Sequence, residues 1–183
     1  MMQFRIHTNT YVYLAVLLFL VPIRWLTAWL LAVICHELCH YIAVKLCGGN
    51  VFFLTVSIGG AIMESSGLSD GKQLLSILAG PIGGLIPTVF ARWFPELALC
   101  CWLLSMYNLL PLLPLDGGHI LQLLIKNPKR FFMQQRICRV LLLLGGVYLS
   151  FCLGLGILPI AIAIGLCLKC RKNPCNESVC GVQ

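Results

Sequence analysis

Apolar runs recur along this chain with polar residues gathered between them. The runs are Tyr11 to Ile23, Trp25 to Leu46, about Leu74 to Phe94, Leu97 to Leu115 and Val140 to Leu168. Several approach the roughly 20 residues a helix needs to cross about 30 Å of hydrocarbon. The pattern predicts an all-α polytopic membrane protein with about six transmembrane segments. The first run follows Arg5 and resembles a signal peptide in that respect, but no small-x-small cleavage site follows it, so it is read as a span. The third includes the bend-prone AGPIGG, Ala79 to Gly84. The fourth ends in NLLPLLPLDGG, Asn108 to Gly118, where Pro111 and Pro114 lack backbone donors and should unwind the helix. The last run is long for one crossing and short for two.

Between the second and third runs lies VFFLTVSIGGAIM, Val51 to Met63, too short to cross as a helix and rich in β-branched and aromatic residues. It predicts a re-entrant strand-like loop. Backbone of that kind is tolerated at membrane depth only where protein or a water-filled cavity satisfies it. Residues 1–168 then form one membrane domain and 169–183 a polar cytoplasmic tail, whose Cys170, Cys175 and Cys180 are a weak metal-binding set.

Composition supports this picture. The 183 residues are 60% hydrophobic and 10% charged, with mean hydropathy +0.94, against roughly 25% charge in soluble domains. The net charge of +7 does not indicate nucleic acid, because the 13 basic residues are scattered between apolar runs rather than gathered in a patch. Short cytoplasmic loops collect Lys and Arg. Six spans with both ends inside leave only Arg24 and Arg92 outside, which favours two short crossings or a deep hairpin at the end. Eleven cysteines, mostly within apolar runs, read as reduced thiols.

One cluster stands out against this background. CHELCH, Cys35 to His40, sets ionisable groups inside a hydrocarbon span, where they are expensive and by default functional. On a helix His36 and His40 share a face, with Glu37 beside them, in the His-Glu-x-x-His pattern of zinc metalloproteases. Two imidazoles and one further protein ligand leave a position for water on a catalytic zinc, and Glu37 would take that water's proton. Histidines merely hydrogen-bonded inside a helix bundle are the plainer reading. The third ligand should be a His or a carboxylate. Among six acidic residues Asp116 is the one at a broken helix end within the membrane region. A rival is a structural site on Cys35 and Cys39, but one straight helix cannot easily aim both pairs at one ion.

These residues resemble the site-2 protease family of intramembrane zinc metalloproteases. CHELCH resembles its His-Glu-x-x-His helix, NLLPLLPLDGG its Asn-x-x-Pro and Leu-Asp-Gly-Gly motif, FLTVSIGG (Phe53 to Gly60) its strand segment, and LAGPIGG (Leu78 to Gly84) its Ala-Gly-Pro helix. The resemblance implies one zinc ion on His36, His40 and Asp116, Glu37 as general base, and Asn108 holding the substrate or the developing oxyanion. Cys39 stands where the family usually has glycine, Gly84 where asparagine is frequent, and His119 where sporulation-type members often have arginine. With no inserted PDZ and no appended CBS domain, the layout is most similar to the bacterial sporulation-type branch, whose members cleave a membrane-tethered sigma-factor precursor.

The expectation is therefore a multi-pass cell-membrane protease, its active site toward the cytoplasm, that hydrolyses a peptide bond in or beside a transmembrane segment of a tethered protein. The strand-like segment would hold the unwound substrate by β-augmentation through Val51, Phe53, Thr55, Ser57, Gly59 and Gly60. Its surroundings are the lipid bilayer; nucleic acid is not expected, and a homo-oligomer stays open. A zinc-binding membrane carrier without proteolysis would share the histidines and Asp116 but has no use for a base or a peptide-binding strand. His119 is read as a polar loop residue rather than a partner of Asp116.

Overall fold

The computed structural model describes residues 3–6, 18–19, 21–57, 60–152, 163–165 and 167. They fall into two compact units, Met1–Leu109 and Leu110–Gln183. The first contains strand β1 (Gln3–Ile6), helix α1 (Ile23–Leu46), strands β2 (Asn50–Ser57) and β3 (Gly60–Ser66), helix α2 (Asp70–Gly84), a 3-10 turn (Ile86–Phe90) and helix α3 (Pro95–Asn108). The second contains α4 (Asp116–Leu124) and α5 (Pro128–Cys152).

Among the described residues, Ile23–Leu46 and Asp70–Phe90 are long and apolar enough to cross a bilayer. Helix α1 has an arrangement suited to lipid. Many of its large side chains, among them Trp25, Trp29, Leu31, Ile34, Leu38 and Ile42, are exposed, whereas small Ala28 and Ala32 and ionisable His36 are buried with Leu26 and Val44. Small residues let helices approach closely, and a polar group in hydrocarbon turns toward protein. The helix ends at a glycine because the chain must then turn: Gly48 has φ +83°. Gly49 N–H donates to Val44 O at 2.9 Å and Gly48 N–H to Lys45 O at 3.0 Å, the paired bonds of a Schellman motif. Lys72 Nζ donates to the adjacent Cys47 carbonyl at 3.0 Å, a cation at a helix C-terminus where the dipole favours it.

The strand-like segment forms β2 and β3, which pair antiparallel, and β1 joins β2 in parallel, giving the order β1-β2-β3. The mostly helical chain thus carries a small sheet. Helices α1, α2 and α3 pack against one another in pairs. The expected run from Leu74 to Phe94 begins earlier and breaks at Leu85, four residues beyond Pro81, where the chain tightens into the 3-10 turn. The run from Leu97 likewise stops as a helix at Asn108, ahead of Pro111 and Pro114, as their missing donors require.

In the second unit α5 starts at Pro128, twelve residues before the apolar run at Val140. Its opening turns, PKRFFMQQRICR, look polar in sequence. Phe131 and Gln135 nevertheless fall one turn apart on one face and both are buried. Asn127 starts the helix, its Oδ1 accepting from Lys129 N–H at 3.0 Å and Arg130 N–H at 3.4 Å. Residues 11–17 and 20 of the first run and most of residues 153–168 lie outside the described residues, as does the 169–183 tail, so most of the expected first span and the number of crossings at the end lie there too.

Candidate functional site

The site in the first unit is built by helix periodicity. His36 and His40, one turn apart on α1, present their rings edge to face, with centroids 4.8 Å apart and planes at 84°. His36 is 3% exposed. The two Nε2 atoms approach to 3.2 Å. His40 Nδ1 stands 2.8 Å from the carbonyl oxygen of Ser76 on α2, and since a carbonyl only accepts, Nδ1 carries the proton and Nε2 of the neutral ring keeps its lone pair. Asn108, the last residue of α3, brings Nδ2 to 3.4 Å from His36 Nε2, an amide donor facing that nitrogen's lone pair. Three helices of one unit thus converge on two imidazole acceptors.

Facing lone pairs at this distance repel unless a cation or proton lies between them. The spacing suits a metal: tetrahedral nitrogen ligands at about 2.0–2.1 Å stand roughly 3.3–3.4 Å apart. A ring whose other nitrogen is hydrogen-bonded to a carbonyl has a fixed tautomer and orientation, as metal-ligating histidines do.

The glycines of AGPIGG are what let α2 come this close. A Cβ at Gly80 would overlap the His40 ring, and one at Gly83 would overlap the Cys39 side chain. At Gly84 a Cβ would lie 2.9 Å from Ser105 Oγ and 3.3 Å from His36 Nδ1. The extra bulk of Cys39 is thereby accommodated, and Gly84 serves as the seat of His36. Cys35, Cys39, Cys100 and Cys101 are free thiols. Among the described residues no metal-holding group of three or more ligand side chains includes a cysteine.

Glu37 lies on α1 next to His36 and is half-buried. Asp116 belongs to the second unit: it opens α4, where the helix dipole favours a carboxylate, and is half-buried. His119, one turn on, is exposed, but it lies within α4 and not in the expected loop, because the helix starts at Asp116.

The expected substrate strand needs correction in its mode of use. β2 is the central strand, with Phe53 paired to Gln3, Thr55 to Arg5 and Val56 to Ile6 on one side. On its other side Val51 pairs with Ser65, Thr55 with Ile62 and Ser57 with Gly60. An added strand needs a free edge, and among the described residues the edges of this sheet belong to β1 and β3. Of the expected substrate residues only Gly60 sits on an edge strand; Val51, Phe53, Thr55 and Ser57 are on β2, and Gly59 lies outside the described residues.

Sequence reasoning missed the Ser76 carbonyl, which carries no side-chain signal, and Ser105, buried one turn before Asn108 on the same face of α3. The glycine seats were within reach, because AGPIGG is an unusual density of small residues for a span.

Comparison with known proteins follows the same lines. Residues 76–153 match the family model described as Peptidase family M50. The matched span holds Asn108 and Asp116, whereas His36, Glu37 and His40 precede it. No curated protein matches the chain. Among solved structures the fold is similar to that of the Site-2 Protease from Methanocaldococcus jannaschii, with a TM-score of 0.66 and 18% identity over 92% of this chain and 89% of that one. The chain thus carries a segment similar to Peptidase family M50 on a fold like that of a site-2 protease.

Proposed function

We propose that the chain is an intramembrane zinc metalloprotease that cleaves a membrane-tethered protein within or beside its transmembrane segment, a sigma-factor precursor being the substrate class the motifs suggest. The observation that carries this reading is the His36–His40 pair, with Nε2 atoms 3.2 Å apart and His40 held by the Ser76 carbonyl, beside a glutamate on an apolar helix. His36 and His40 would hold the metal, with Asp116 as third ligand on the strength of the Leu-Asp-Gly-Gly motif. Zinc bound there would supply Lewis acidity and make a water acidic enough to lose its proton near neutral pH.

Glu37 accepts the water proton and returns it to the leaving amine, as a general base and then a general acid. Asn108 places an amide N–H where negative charge develops on the scissile carbonyl. A helical substrate hides its carbonyls and must unwind; the edge strands β1 and β3 offer main-chain groups that would replace its lost hydrogen bonds. The active site faces the cytoplasm in this reading, following the distribution of Lys and Arg.

The test is cleavage of a tagged membrane-tethered substrate by the full chain in proteoliposomes. Glu37→Gln should lower the rate by a factor of about 10² or more while zinc content stays normal, because the amide cannot take the proton but leaves the ligands intact. Undiminished cleavage would remove Glu37 from its role. Zinc binding with no cleavage of any tethered substrate by the unmodified chain would favour a carrier.

A further inference from the structure

In the second unit the chain from Leu110 to Leu115 has left α3 and not yet entered α4. It holds two prolines, so its backbone cannot satisfy itself as a helix does. Leu112 N–H reaches Leu110 O at 2.7 Å and Leu115 N–H reaches Leu112 O at 2.8 Å. The Leu113 N–H and the Pro111 carbonyl find a partner on α5. Gln135 Oε1 accepts from Leu113 N–H at 3.2 Å, and Gln135 Nε2 donates to Pro111 O at 3.0 Å. Gln135 is 2% exposed. An amide side chain donates from its nitrogen and accepts at its oxygen without charge, so from a buried position it can satisfy a carbonyl and an N–H two residues apart.

Gly118 on α4 also packs directly against this peptide. A Cβ there would overlap the backbone of Leu112 and Leu113. The Leu112–Leu113 peptide is thus held by α4 and the Gln135 amide, and buried Leu112 and Leu115 anchor the segment from within. Asp116 follows directly at the first position of α4.

We propose that Gln135 is a positioning residue for Asp116: by fixing the backbone of Pro111 and Leu113 it sets where the carboxylate of the next helix start points. The inference rests on the reading of Asp116 as a zinc ligand. Groups that orient a ligand affect metal affinity by about 10–100-fold when removed. An effect of that size is expected although Gln135 does not touch the metal itself.

The experiment measures zinc retention by the full-length protein against graded chelator, for Gln135→Met, Asp116→Ala and the double variant. Methionine keeps the volume and removes both hydrogen bonds. Gln135→Met should weaken zinc retention about tenfold or more, and should add nothing in the Asp116→Ala background, where His36 and His40 alone bind. Equal weakening in both backgrounds, or none in either, overturns the positioning role. Wild-type retention in Asp116→Ala alone refutes the ligand reading instead, so the two failures are distinct. Should Gln135→Met not accumulate, amide exchange in the wild type decides. Leu113 N–H should exchange at least tenfold more slowly than in an unfolded chain, and an unprotected Leu113 overturns the clamp.

Discussion

The two motifs solve one problem, aiming a side chain, by different physical means. On α1 the aim comes from the helix itself: His36 and His40 share a face because they are one turn apart, and the neighbouring helix only has to make room through Gly80, Gly83 and Gly84. At Asp116 the preceding backbone is irregular, and the aim depends on groups brought to it, the Gln135 amide and the close approach that the missing side chain of Gly118 allows. A helix-borne pair is rigid and sensitive to crowding, whereas a carboxylate at a helix start that follows irregular backbone is sensitive to the loss of hydrogen bonds. Each region should fail in its own way.

The largest effects test whether both regions supply ligands at all. His36→Ala, His40→Ala and Asp116→Ala should each bring cleavage to background; the two histidine variants should strip zinc from the purified protein, as measured by metal analysis, and Asp116→Ala should weaken its retention to what the histidine pair alone provides. Cys35→Ser combined with Cys39→Ser should leave zinc in place, since Cys39 packs against Gly83 and the thiols form no ligand group among the described residues. Loss of zinc in the cysteine double variant would revive a thiolate site. Normal zinc after Asp116→Ala would leave the histidine pair as the whole protein contribution and end the comparison.

A smaller but sharper contrast comes from the glycines. At Gly80 an added methyl meets the His40 ring, which can give way only by losing its bond to the Ser76 carbonyl; at Gly118 it meets the backbone of Leu112 and Leu113, which has no rotamer to change. Gly80→Ala should therefore lose zinc affinity, by a factor of about 10–100, with little change in melting temperature. Gly118→Ala should destabilise the protein by about 1–3 kcal/mol through overpacking, seen as a lower melting temperature even without zinc. If both variants show the same balance of affinity and stability loss, the distinction between a crowded helix seat and a packed loop is wrong.

Particular residues show how far the sequence could be read. The α1 cluster was legible because charge is costly in hydrocarbon and the four-residue repeat fixes a face. The end of α3 was legible because proline lacks a donor. The strand β1 was not: four residues, Gln3–Ile6, form a strand only by pairing in parallel with residues about fifty positions on, and no local pattern encodes that. The start of α5 was missed because its apolar run begins at Val140, while the turns before it bury only a sparse stripe. Gln135 escaped notice for a related reason, since its partners are backbone atoms of Pro111 and Leu113, more than twenty residues earlier. The strand segment was recognised, but its central place in the sheet depended on β1.

The smallest expected effect lies at Ser105, where the two regions would be confused if the helix site also depended on a polar orienting group. Ser105 is fully buried on α3, and among the described residues its hydroxyl has no hydrogen-bond partner. It faces the Gly84 seat, where an added Cβ would also meet Nδ1 of His36, whereas Nε2 of that ring is the atom that approaches His40. A buried hydroxyl without a partner carries a desolvation penalty, so removing it should be neutral or stabilising, by about 1 kcal/mol at most. Ser105→Ala should thus melt at the same temperature or slightly higher, and hold zinc within twofold of the wild type. A tenfold loss of zinc affinity would show that the hydroxyl helps hold the His36 ring. The histidine pair would then need the same kind of external polar support as the Asp116 loop, and helix periodicity with glycine seats would not be a sufficient account of how α1 aims its ligands.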